Sequence, residues 1–215
     1  MTKDDGPAPE ATARRRPRGS YSKGRAKRAE ILSEAVRVFA ESGYRGGSLK
    51  EIAERVGLSQ AGLLHHFTSK EQLLAEVLAE RDAEDGARMF PPGAPRTGSD
   101  ALLRMAGQVR HNTTVPGLVQ LYATLSGEAV AEGHPAREPF VERYRELRSL
   151  MATAVAEAQA SGEVPADRDP VMIATALIAV MDGLQIQWLL EPDAIDMPAV
   201  FDTLLATLGL HVNAG

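Results

Sequence analysis

Two helix-start signals eleven residues apart, with a glycine between them, constrain this chain more than any other feature. The first is Ser48 followed by Glu51, a capping box in which each side chain satisfies an orphan backbone N–H. The second is Ser59, a favoured N-cap residue. Between them, Gly57 stands where a left-handed residue ends a helix. The pattern predicts a helix on Leu49, Ile52, Ala53 and Val56, then a tight turn at Gly57-Leu58-Ser59. A short second helix follows, ending near His66 or Phe67. That is the spacing of a helix-turn-helix. The first helix packs across the second, Leu58, Leu63 and Phe67 face a small core, and the second helix turns one face outward. At about 100° per residue, Ala61 and His65 point most directly out, and Gln60 lies in the first turn.

These outward residues suit a DNA groove. Gln60 can pair with adenine N6 and N7, and His65 can bond guanine N7 or a phosphate. Ala61 and Gly62 are small enough to let the backbone approach closely, and Ala61 can pack on a thymine methyl. Ser59 sits at the start of the same helix. Phosphate anchors surround it. Ser48 marks a helix N-terminus, a natural anion site, and Lys50 lies one turn in. Lys70 lies in the first turn of the next helix, where a phosphate would offset its unfavourable meeting with the helix dipole. Arg25, Lys27 and Arg28 can follow the phosphate backbone or enter the minor groove.

The charge distribution agrees. Residues 1–70 hold 14 Lys/Arg against 8 Asp/Glu, whereas residues 71–215 hold 10 against 21, so the net charge of −5 hides a basic head on an acidic body. A nucleic-acid binder needs this asymmetry if one end alone is to touch the polyanion.

Elsewhere the pattern is helical. Residues 1–24, with Arg14-Arg15-Arg16 and Arg18, are expected to form a disordered basic arm. Apolar residues from Ile31 to Ala40 predict a helix over Lys27 to Ser42, stopped by Gly43. Ser69 and Gln72 predict a capped helix running to about Asp85. Residues 86–98, containing Pro91-Pro92-Gly93 and Pro95, are expected to be a linker or long loop. Helices are then expected at about 99–111, 116–131, 136–161, 170–190 and 197–210. No strand pattern or internal repeat is evident, so the fold class is all-α.

The run from Arg28 to Leu78, including AERVGLSQAGLLHHFTSKEQLL, resembles the DNA-binding domain of the TetR family of one-component regulators. The resemblance rests on Ile52-Ala53, Gly57-Leu58-Ser59, Leu63, His65, Phe67, Ser69-Lys70-Glu71 and Leu73-Leu74. Leu64 and His66 stand where that family often has tyrosines. A tyrosine at the first position often contacts phosphate, and Leu64 offers apolar contact to sugar or a thymine methyl instead. The resemblance implies a DNA-binding domain at 25–70 with a helix-turn-helix, and a helical ligand-binding and dimerisation domain at 71–215. It also implies a homodimer on a palindromic operator in double-stranded DNA, and repression relieved by a small-molecule effector.

The C-terminal half carries no motif of comparable specificity. Candidate effector contacts are polar or aromatic residues on apolar helices: His111, Gln120, Tyr122, Thr124, Tyr144, Gln185 and Trp188. His134-Pro135 is expected to be a plain loop, and Asp182-Gly183 a tight helix–helix contact point. The stretch from Val171 to Leu190 is apolar nearly all round. Because it contains Asp182, Gln185 and Gln187, it is expected to be a buried core helix rather than a membrane span. With Met197, Val200, Phe201, Leu204, Leu205 and Leu208 of the last helix, it is expected to build the dimer interface. Catalytic motifs such as GxSxG, HExxH and the phosphate-binding GxxxxGK[ST] are absent, and His65-His66 diverge too far on a helix to share a metal. No cofactor, metal or enzymatic activity is expected. A protein-binding helical adaptor would need neither the basic arm nor the exposed Gln60/His65 face. The absence of cysteine and of a secretory signal points to the cytoplasm.

Overall fold

A computed structural model describes residues 18–94 and 98–211, with side chains placed from residue 23 onward. Among the described residues there are nine α-helices and no strand: α1 (Arg18–Gly46), α2 (Leu49–Arg55), α3 (Gln60–Leu64), α4 (Lys70–Met89), α5 (Gly98–Asn112), α6 (Pro116–Ala129), α7 (Arg137–Ala160), α8 (Pro170–Leu190) and α9 (Met197–Thr207).

The helix starts follow their caps. The Ser48 hydroxyl accepts the Glu51 N–H, Ser59 that of Gly62, and Ser69 that of Gln72, each at 3.1 Å. The return halves of both capping boxes are diverted. The Glu51 carboxylate takes Arg55, which also binds Glu41 of α1. The Gln72 amide oxygen takes the N–H and hydroxyl of Thr68, one residue before the cap. Gly57 has φ +68°. The Gly57 N–H donates to the Glu54 carbonyl and the Leu58 N–H to that of Ala53, which together form a Schellman closure of α2.

Two helix boundaries differ most from the sequence expectation. The backbone of residues 18–24 is helical, so α1 starts nine residues before Lys27. Its first turns, RGSYSKG, lack an apolar face and hold two glycines and two serines, so neither period nor propensity signals them. Residues 1–17 of the expected arm, including Arg14-Arg15-Arg16, lie outside the described residues. At the other end, α4 continues four residues past Asp85 to Met89, because Phe90 is buried and draws the chain on. The expected long loop therefore shrinks to the turn at 91–94 and the undescribed residues 95–97.

Two hydrophobic clusters organise the helices. The first joins Ile31, Ala35, Val38 and Phe39 of α1 to Ile52, Leu63, Phe67, Leu73 and Leu74, and extends to Leu121, Leu125 and Phe140. The second is built on α5, α7, α8 and α9, with Leu102, Met151, Leu177 and Phe201 among its buried residues. The first cluster thus spans both expected domains, with α6 laid against α1.

α8 buries one face only in the single chain. Ile173, Ala174, Leu177, Ile178, Met181, Leu184 and Gln185 turn inward. Met172, Ala176, Ala179, Ile186 and Leu190 are exposed and Gly183 is half-buried, at alternating spacings of four and three. The helix is long and apolar enough to cross a membrane by length and composition. On α9, Met197, Phe201 and Leu205 are fully buried in the chain's own core. Of the six residues expected at a dimer interface on this helix, Val200, Leu204 and Leu208 keep some exposure.

Candidate DNA interface and effector cavity

The cap–turn–cap sequence holds α3 so that Leu63 and Phe67 are buried while Ser59, Gln60, Ala61, Leu64 and His65 are exposed. Gly62 and His66 are half-buried. The structure thus brings the expected reading face together at one edge of the first cluster. Ser48 and Lys50 are exposed beside it, and Lys50 lies 3.8 Å from Glu54 on the solvent side.

The other expected phosphate anchors are engaged within the chain. The Lys27 ammonium donates to the Val56 carbonyl at 3.0 Å, placing a cation at the C-terminal end of α2, and pairs with Glu30 at 2.6 Å. Arg28 pairs with Glu76 of α4 and stacks 4.5 Å from the centre of the Phe67 ring. Lys70 lies 4.4 Å over the Tyr44 ring, and burial lowers its pKa. The π-face accounts for a cation in the first turn of α4 without a phosphate. Arg25 is exposed on α1.

Between the clusters lies a cavity of about 360 Å³, walled by α4, α5, α6, α7 and α8. Three of the seven sequence candidates line it: Tyr122, Tyr144 and Gln185. The other four do not. On α6, Tyr122 and Ser126 face the cavity, so Gln120 and Thr124, two residues offset, point elsewhere, and Gln120 is exposed. Trp188 lies a turn beyond Gln185 and packs on the second cluster. His111 is half-buried beside the Thr114 hydroxyl, and burial lowers its pKa.

Sequence reasoning missed the cavity's charged wall. Arg81 binds Asp85 at 3.0 Å, and Asp85 also receives Arg88 and the amide nitrogen of Gln108. Arg143 pairs with Asp82 and stacks 4.6 Å from the centre of the Tyr122 ring, whose hydroxyl donates to Asp82 at 2.8 Å. The Tyr144 hydroxyl donates to Asp182 at 2.7 Å. Asp182 is therefore a cavity residue, not the tight helix contact expected of it. Desolvation raises the pKa of both Asp85 and Asp182. The signal was present in the spacing. Arg81 and Asp85 continue the buried face of Leu74 and Leu78 on α4, and Gln108 and Asn112 continue that of Ala101 and Met105 on α5. Polar residues at core positions of amphipathic helices mark a polar cavity wall.

A junction between α1 and α6 was also missed. The Glu128 carboxylate accepts the Tyr44 N–H at 2.7 Å and lies 3.4 Å from the His134 imidazole. A Cβ at Gly43, where φ is +68°, would stand 2.2 Å from the Glu128 Oε1. His134 is buried edge-on to the Tyr44 ring, with its Nδ1 accepting the Ala136 N–H, so His134-Pro135 is more than a loop.

Comparison with known proteins agrees with this geometry. The family model for bacterial regulatory proteins of the tetR family matches residues 31–77. That for the C-terminal region of BetI-type transcriptional repressors matches residues 116–210. The HTH-type transcriptional regulator TtgR of Pseudomonas putida is 24% identical over 188 residues, covering 79% of this chain and 83% of its own. A TetR-family regulator from a Rhodococcus species superposes with a TM-score of 0.69 at 25% identity, over 85% of this chain and 97% of its own. A transcriptional regulator from Saccharomonospora viridis, solved in complex with choline, gives 0.73 at 23% identity, over 85% and 96%. Helix-turn-helix, helical body and both family matches lead to one conclusion: the chain belongs to the TetR family of bacterial transcriptional regulators.

Proposed function

We propose that this regulator is a repressor that binds a palindromic operator as a homodimer and is released by a small molecule entering the cavity. Residues 25–70 act as the DNA-binding unit and residues 71–215 as the effector-binding and dimerisation body, in the cytoplasm. Gln60, Ala61, Gly62 and His65 read base edges, with Leu64 and His66 beside them. Ser48, Ser59, Lys50 and Arg25 meet phosphates, whereas Lys27, Arg28 and Lys70 chiefly hold the reading unit in place. The exposed α8 seam, with Ala176, Ala179 and Gly183 permitting close approach, pairs with its symmetry mate and sets the two α3 helices about 34–36 Å apart, one helical turn of DNA.

The observation that carries this reading is the position of α6. One face lines the cavity through Leu118, Val119, Tyr122 and Ser126. The other packs Leu121 and Leu125 into the core beneath α1 and bonds Tyr44 through Glu128. An occupant that displaces Tyr122 also disturbs α4, because the Tyr122 hydroxyl is held by Asp82. Both helices that join cavity to DNA-binding unit are thereby biased together. The binding of other small molecules by relatives, choline in the Saccharomonospora protein among them, supports an effector role for the cavity.

The test is an operator shift with purified protein and genomic fragments. Specific binding that weakens steeply with salt supports the reading. An effector that binds the protein yet leaves operator affinity unchanged contradicts the release mechanism.

A further inference from the structure

Apart from the Asn112 and Gln185 amides, the cavity's polar wall has spare capacity of one kind. Two guanidiniums line it, and each is already taken by a carboxylate: Arg81 by Asp85 and Arg143 by Asp82. The two tyrosine hydroxyls donate to Asp82 and Asp182, and the Ser126 hydroxyl donates to the Ala123 carbonyl. An anionic occupant would have to break these pairs.

Two acceptors remain. The Gln108 amide nitrogen donates to Asp85 at 3.0 Å and to Asn112 Oδ1 at 2.9 Å. Those two bonds fix the amide's orientation and leave its oxygen buried with no donor, on a residue only 7% exposed. Asp182 receives a neutral phenol, and Arg143 reaches it by its field alone, being bonded to Asp82. A desolvated carboxylate with a neutral partner calls for a positively charged donor, and a buried carbonyl with none calls for an N–H or O–H. Most of the rest of the wall is apolar or aromatic, with Phe90, Phe140, Leu147 and Met181, and it also holds Asn112, Glu146 and Gln185.

We propose that the cavity takes a lipophilic organic cation bearing at least one N–H, its ammonium directed to Asp182 and the Gln108 carbonyl. Its apolar body packs against Phe90, Phe140, Leu147 and Met181. The inference rests on the cavity being the effector site. It separates primary to tertiary ammonium ions from quaternary ones, which carry charge but no N–H for Gln108.

The test is calorimetric titration of the full chain at neutral pH with four probes sharing one tail: phenylbutylammonium, its trimethylated quaternary analogue, phenylbutanol and phenylbutyrate. The ammonium is expected to bind tightest, about tenfold or more above the alcohol and the carboxylate, and to lose about tenfold in Asp182→Asn. This ranking on the unaltered protein needs no variant, so a misfolded Asp182→Asn does not blunt the test. Tightest binding by the carboxylate or the quaternary ion, or unchanged ammonium affinity in Asp182→Asn, overturns the proposal. Ala123→Trp, which fills the cavity from α6, separates the two readings. If it abolishes binding of a tightly bound carboxylate, the effector site stands and the cation class falls. If no probe of any charge binds, both fall.

Discussion

Gln60 stands exposed at the first turn of α3, where a side chain reaches base edges most easily. Gln60→Ala is expected to cost about 1–3 kcal/mol on the proper operator and to relax preference at one base, as read by fluorescence anisotropy across a panel of operator variants. An equal loss on every sequence would assign it to phosphate instead. Asp182 illustrates the opposite economy. Burial raises its carboxyl pKa, so folding favours its protonated form. The stability this contributes is full at pH below the ordinary carboxylate range and is lost as pH rises through the raised value. Asp182→Asn removes the buried charge, so its melting temperature at neutral pH is expected to equal or exceed that of the unaltered chain while amine binding falls. A clear drop in melting temperature would show the carboxylate to be structural. At this scale Gln60 and His65 were legible because helix period alone turns them outward. Lys70 was not, because its partner, the Tyr44 ring, comes from a different helix.

At the scale of elements, the caps and turn of α2 and α3 were legible because their signals are local: Ser48, Gly57 and Ser59 act on residues within a few positions. The start of α1 at Arg18 was not, since its early turns have no apolar face to reveal a period. The α1–α6 junction was likewise hidden, because Gly43 and Glu128 are distant in sequence. That junction is testable. Gly43→Ala faces both a positive φ and the Glu128 carboxylate, so it is expected to destabilise by more than about 1 kcal/mol in urea unfolding. Glu128→Ala relieves the clash but not the backbone strain. The cost of Gly43→Ala should therefore shrink without vanishing, with an interaction energy of about 0.5–3 kcal/mol in the double-mutant cycle. Strict additivity would mean that the two helices are not pressed together there.

For the whole molecule, the open face of α8 is the feature on which the proposed dimer rests. Met172 is 71% exposed and Leu190 76%, a costly arrangement for a lone chain in water and an ordinary one for half of a helix–helix seam. Ile186→Glu, in the C-terminal half of that seam, is expected to give a monomer by light scattering and to weaken operator binding. A dimer unaffected by it would place the interface elsewhere. The all-α architecture and the order of helices followed from apolar periodicity. The cavity as a whole did not, because five helices contribute to it, although the spacing of Arg81 and Asp85 on α4 and of Gln108 and Asn112 on α5 marks polar residues on buried faces. The most direct test of the account is a selection of genomic DNA fragments by the full chain and by the double variant Gln60→Ala/His65→Ala. The full chain is expected to enrich inverted repeats whose half-sites lie about 10–10.5 base pairs apart, or a multiple of that, and the double variant to enrich none of them. Enrichment of the same fragments by both proteins, or of none by either, would contradict the claim that α3 reads DNA.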